Sequence, residues 1–321
     1  MKNTHILVVT FFVIGLIAIA ISPTNKSTKS SGIRTTISPL TYKKLKPSLY
    51  YTDSIPELQI HNLTMIGRVG RFGVDGIKGK LLRALRFQNI SDAVEERYNL
   101  PRHIILAMMM EESSGVDCLP NGLGDGGFGL CHMQSIVAKE FGLQVYQNCS
   151  AMVCNGTDPR SCKDSKGRLF NHARDLKELI HKNESNRQTV IRYDERLSPV
   201  LNLDAVGRML ASHMDGRPIK GFGPLRTAIA RYAGLYNYKD YWRDVRLNMK
   251  ALANESLISE VEAEFNRLNP TLTINGESAD FRRYIALSQN QNYNYGLAQY
   301  QSLPMYLPKN SEKVIRTLDN F

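Results

Sequence analysis

The chain has no sustained polar–apolar alternation, no internal repeat, and no second long apolar stretch after residue 21. These absences argue against a sheet-based fold, a solenoid and a multi-span membrane protein. It also lacks Cys-x-x-Cys, His-Glu-x-x-His and Gly-Lys-Ser/Thr. That removes the common zinc spacings and a phosphate-binding loop. No acidic residue occurs between residues 22 and 47. What is present is enough for a core: 42% of the 321 residues are hydrophobic and 8% aromatic, which excludes a wholly disordered chain. The length fits one main domain with extensions. A net charge of +11 favours an anionic partner, either nucleic acid, a membrane surface or an acidic wall polymer.

Residues 1–21 open with Met1-Lys2 and run apolar from Ile6 to Ile21. Those 16 residues fall short of the roughly 20 that span a bilayer core. Ala18 and Ala20 supply a small-x-small cleavage pattern, so a signal peptide is expected, with an uncleaved membrane tether through residues 6–21 as the alternative. Residues 22–47, with Lys26, Lys29, Arg34, Lys43, Lys44 and Lys46, read as a basic linker. Residues 48–85 are expected to be an N-terminal extension packed on the core. In an exported protein the five cysteines (Cys118, Cys131, Cys149, Cys154 and Cys162) favour disulfides over zinc, with one thiol left over and the pairing open.

From about residue 78 the pattern is helical. Pro101 suits the first turn of a helix with interior Ile104 to Met110, apolar all round and therefore buried, stopped by Gly115. Val206, Met209, Leu210 and His213 form one further stripe, ending at Gly216. Leu225, Ala228, Ile229 and Tyr232 form another, opened by Pro224 and stopped by Gly234. Two more follow, with Trp242 on the first and Phe265 on the second. The expectation is an all-α core over residues 86–253 and a mostly irregular C-terminal extension over 254–321. His103, His172, His181 and His213 are read as surface or packing residues.

Glu111-Glu112-Ser113-Ser114-Gly115 closes the apolar helix. Carboxylates at such an end face desolvation and the negative pole of the helix dipole, both of which raise a carboxyl pKa. A carboxylic acid kept neutral is what cleavage of a glycosidic bond requires. The loop with Gly122, Gly124, Gly126, Gly127 and Gly129 follows a helix rather than a strand, which suits close approach to a ligand better than a dinucleotide.

The ordered segments IILAMMMEESSG, GDGGFGLCHMQ, NLDAVGRMLASHM, AIARYAG and YKDYWRDV resemble the soluble lytic transglycosylase family of the lysozyme-like superfamily. The resemblance implies a lysozyme-like domain over 86–253, with Glu112 as the catalytic acid and Ser113, Gln134 and Tyr232 at the substrate. Glu111 would then turn away, since helix neighbours point about 100° apart. Two departures stand out. The Gly-Leu-Cys-His-Met-Gln run is two residues longer than the family's G-L-M-Q, and Tyr232-Ala233-Gly234 lacks the family's Asn, whose part Asn237 is a candidate to take. Gly124-Asp125-Gly126-Gly127-Phe128-Gly129-Leu130 is also similar to goose-type lysozymes, where an Asp of this loop assists hydrolysis. Asp125 therefore decides between the two chemistries. Tyr236, with Tyr238 and Tyr241, is expected to line a sugar cleft, while Trp242 is expected in the core.

The expected function is an exported enzyme of the bacterial periplasm or envelope that cleaves the β-1,4 bond between N-acetylmuramic acid and N-acetylglucosamine in peptidoglycan, leaving a 1,6-anhydro end. No metal or cofactor is implied, and no nucleic-acid motif accompanies the charge. A hydrolytic muramidase using Asp125 and a non-catalytic wall-binding protein are the alternatives.

Overall fold

A computed structural model describes residues 76–116, 127–146, 176, 178–180, 182–183, 187–274, 277–292 and 297–301. The expected export segment and linker, Asp125, Cys118, Cys149, Cys154, Cys162, His172 and His181 lie outside the described residues. In chain order the elements are α1 (Ile77–Leu85), α2 (Gln88–Tyr98), α3 (Ile104–Glu112), α4 (Ser135–Glu140), α5 (Arg187–Tyr193), a 3-10 turn (Glu195–Leu197), α6 (Pro199–Asp215), α7 (Pro224–Ala233), α8 (Tyr238–Leu252), α9 (Glu255–Leu268), β1 (Thr273–Ile274), β2 (Glu277–Ser278), α10 (Phe281–Asn292) and α11 (Ala298–Gln301). The described fold is all-α. The two strands form a single short antiparallel ladder, with Thr273 opposite Ser278.

Helix α3 is the axis. Every residue from Ile104 to Met110 is fully buried, so a helix without a polar face can exist only wrapped by others. Helices α1, α2, α6 and α8 supply the wrapping. Its first turn is capped from outside: the Glu95 carboxylate on α2 accepts from the His103 and Ile105 amides at 2.8 and 2.9 Å. Pro101 precedes the helix and accepts from the Ile104 amide at 3.2 Å.

The other stripes behave as their spacing predicts. Ser198 caps α6 at the Leu201 amide, Pro224 opens α7, and Asn254 caps α9 at the Leu257 amide. Val206, Leu210, Ala228, Ile229 and Phe265 are fully buried, and Trp242 is buried as expected. Helices α2 and α6 cross tightly at Gly207, where a Cβ would come within 2.4 Å of Val94 Cγ1.

The C-terminal region corrects the expectation of an irregular tail. Residues 281–292 are helical because Phe281, Tyr284 and Ser288 fall on one face and are buried, while Asp280 caps the start by accepting from the Arg283 amide at 2.8 Å. Farther on, Tyr300 donates to the buried Asp204 at 2.7 Å, as does Tyr98, and Arg97 lies over the Tyr300 ring. One continuous hydrophobic core runs from Leu81 to Tyr300.

Candidate active site

The site is built around the last turn of α3. Glu111 and Glu112 diverge as the helix repeat requires, but neither is left to solvent. Glu111 points to α1 and α8, with Lys80 Nζ at 3.8 Å and Asn248 Nδ2 at 3.5 Å. Burial raises its carboxyl pKa, the Lys80 charge opposes that, and Asp244 and Glu112 add to it. The expected outward turn of Glu111 is thus replaced by a half-buried ion pair. Glu112 points the other way, its side chain 18% exposed, with His132 Nδ1 3.7 Å from Oε2.

Two tyrosines complete this side. Burial and then the Glu112 charge push the Tyr232 and Tyr241 phenols well above their usual range, so both remain neutral donors. Their rings lie 5.7 Å apart. The Tyr232 hydroxyl donates to the Cys131 carbonyl at 2.8 Å, whereas Tyr241 Oη is buried without a hydrogen-bond partner. His132 Nε2 is likewise buried and unpartnered.

The turn after Glu112 explains its Ser-Ser-Gly sequence. Ser114 and Gly115 both have positive φ, 56° and 72°. A Cβ on Gly115 would lie 2.9 Å from Arg83 Cβ. Arg83 Nε donates to the Ser114 carbonyl at 2.7 Å and Arg86 Nη2 to the Gly115 carbonyl at 3.2 Å. Burial, helped by the like charge of Arg86, pulls Arg83 down to about 10. Two guanidinium groups thus satisfy the carbonyls of the turn just past the helix end.

The opposing wall is the hairpin turn from Phe128 to Met133, closed by Phe128 N–H to the Met133 carbonyl at 3.2 Å. Gly129 has φ 82°, and a Cβ there would sit 2.1 Å from the Arg196 carbonyl oxygen, so no other residue fits. The turn is held from below. Asn202 accepts from the Cys131 amide at 3.0 Å, and Arg196 Nη1 donates to the Met133 carbonyl at 3.0 Å. Arg196 is itself locked to Asp194 through Nε at 2.9 Å and Nη2 at 2.7 Å, with both side chains fully buried. Cys131, at the tip, is a buried free thiol.

The structure brings Glu112 and Tyr232 together and adds Tyr241 and His132. Ser113 is 1% exposed, and its hydroxyl turns back to the Met109 carbonyl at 3.3 Å, so it braces the helix end. Gln134 sits partly buried at the N-cap of α4. Tyr236 is 88% exposed on the turn after α7. Tyr238 is buried on Phe222 and accepts from Arg226 at 2.6 Å. Asn237 makes no side-chain cap bond at the start of α8. Asn248 donates to the Ala107 carbonyl at 3.1 Å and so braces α3 from α8.

Comparison gives no relative: no family model, no curated protein and no solved structure matches this chain. The chemistry must therefore be read from the residues.

His132 is the site residue that motif reading passed over. Its signal was the two-residue departure itself, since Cys131-His132 carries both the carbonyl that holds Tyr232 and the ring that faces Glu112. Among the described residues no three His, Cys, Asp or Glu side chains group to hold a metal ion. A half-buried carboxyl beside neutral hydroxyl donors and an imidazole can pass a proton to a bound oxygen and take one back.

Proposed function

We propose that the protein is an exported, lysozyme-like peptidoglycan lytic transglycosylase. The observation that carries this reading is the seat of Glu112: a partly exposed carboxyl at the end of a wholly buried helix, faced by two phenols and an imidazole. In its acid form Glu112 donates its proton to the glycosidic oxygen as the C1–O bond breaks. The resulting carboxylate then takes the proton of the muramoyl 6-hydroxyl while O6 bonds to C1. The ring closes without water and Glu112 returns to its starting form. On this reading the buried Tyr241 phenol, which lies within the field of Glu112, donates to that carboxylate between the two transfers. Ser113 acts indirectly by fixing the helix end, and Gln134 and Tyr236 belong to the outer substrate path. The charge of +11 suits a polymer bearing stem-peptide carboxylates, an attraction that salt screens.

Digestion of purified sacculi followed by mass spectrometry tests the reading. Products one water lighter than hydrolytic muropeptides support it. Products of full hydrolytic mass favour a muramidase with Asp125 directing water. Binding to sacculi without release favours a wall-binding protein.

A further inference from the structure

His132 sits where no packing argument requires it. Its side chain is only 7% exposed, and its Nδ1 faces Glu112 Oε2. Its backbone is held at φ 40°, a left-handed conformation uncommon outside glycine, and such positions cluster at functional sites. The strain is sustained by the anchored turn around it, where the His132 amide donates to the Gly129 carbonyl at 3.1 Å and Asn202 holds Cys131. The two ring nitrogens differ in circumstance. Nδ1 is 3.7 Å from Glu112 Oε2, while Nε2 is buried and bonded to nothing. A buried polar atom left without a partner carries a desolvation cost, and a bound ligand can remove it.

We propose that His132 is a positioning residue for Glu112 whose second nitrogen binds a hydroxyl of the glycan. The inference rests on the lytic reading of this site. A neutral imidazole protonated at Nδ1 donates towards Glu112 Oε2 and leaves Oε1 to exchange protons with substrate. The same tautomer leaves Nε2 as a bare acceptor, which a sugar hydroxyl reaches once the turn over this buried nitrogen shifts on binding. One ring thereby couples substrate arrival to the orientation of the acid. At 3.7 Å the two groups are farther apart than a hydrogen bond, and catalytic contacts of this kind tighten when substrate binds. The other groups facing this carboxylate, Tyr232 and Tyr241, are neutral phenols, and the remaining neighbour, Cys131, has its thiol pushed well up by burial and the Glu112 charge.

Asparagine and glutamine separate the two roles, because the Asn amide reaches the place of Nδ1 and the Gln amide that of Nε2. Asn also tolerates positive φ. His132→Asn should keep kcat and raise KM about tenfold, and His132→Gln should keep KM and lower kcat about tenfold, each losing one hydrogen bond to a charged or buried partner. His132→Gly relieves the backbone strain and opens a hole; imidazole added to it should restore kcat, which a merely structural histidine would not allow.

Steady-state release from sacculi by the full chain reads all three, with melting temperature checked alongside. Opposite KM and kcat effects, or imidazole rescue, support the proposal. An active wild type with both amide variants within twofold of it overturns the proposal alone. So does equal loss in all three variants without rescue. A wild type that releases nothing overturns the lytic reading and this inference together, which keeps the two failures apart.

Discussion

At the N-terminal end of α3 the Glu95 carboxylate, 4% exposed, accepts from the Ser91 hydroxyl and the His103 and Ile105 amides. At the C-terminal end Glu112 is more exposed and is surrounded by groups whose own bonding is unfinished, Tyr241 Oη and His132 Nε2. Both are glutamates at the tip of one apolar helix. The first has the positive pole of the dipole and a full set of donors, which is an architectural arrangement. The second has the negative pole, partial access and unmet polar atoms, which serves stability poorly and proton transfer well. On the proposed reading, what separates the acid from the architectural carboxylate is which neighbours remain unsatisfied, not burial alone.

Replacing each glutamate in turn breaks the comparison most directly. Glu112→Gln should cut release from sacculi by at least about a hundredfold, the usual scale for losing general acid–base catalysis. Its melting temperature should stay close to wild type, because the Gln amide oxygen still accepts from the phenols and the imidazole that face this position. Next in size is the turn that faces it. Gly129→Ala forces a Cβ against the Arg196 carbonyl at a positive φ and should cost about 2 kcal/mol or more in chemical denaturation. Activity should fall with it, since Cys131 and His132 would move.

How much of this was readable in advance differs between the two ends. The buried helix, the Gly115 stop and the Glu112 position follow from local sequence, because an apolar run interrupted by two carboxylates and a glycine has few other solutions. Helix α10 leaves little trace in the sequence, since Phe281, Tyr284 and Ser288 mix aromatic and polar residues on the buried face and a serine at a core position breaks the apolar period. Glu95 gave no signal at all. Its donors His103 and Ile105 lie 8 and 10 residues away, and nothing local marks a carboxylate as another helix's cap. The same holds for Asn202 and Arg196, whose contacts with the glycine turn span 71 and 63 residues. His132 stood in plain view as a departure from a motif, but only its distance to Glu112 gives it a role.

The N-terminal end makes a pH prediction. Burial raises the Glu95 carboxyl from 4.5 to about 7, despite the two amides and the Ser91 hydroxyl that favour its charged form. A group raised on folding contributes stability that is fully present below its unfolded value and is lost as pH rises through its folded one. Wild-type stability should therefore fall relative to Glu95→Gln between about pH 4.5 and 7, by at most about 3 kcal/mol, and run parallel above that. Thermal melts of both proteins across this range read the difference. A constant offset at every pH would show that Glu95 does not titrate there.

The smallest effect is expected at Glu111, and it sharpens the assignment next door. Burial disfavours its charge, so Glu111→Gln removes a desolvation cost, but it also leaves the mostly buried Lys80 without its counter-charge. These opposed terms should nearly cancel, leaving stability within about 1 kcal/mol of wild type. Release from sacculi should stay within a few-fold, because Glu111 faces Lys80 and Asn248 rather than the tyrosines. If Glu111→Gln is the variant that stops turnover and Glu112→Gln is not, the acid works on the α1–α8 side of the helix, and the phenols and His132 would have to be explained without chemistry.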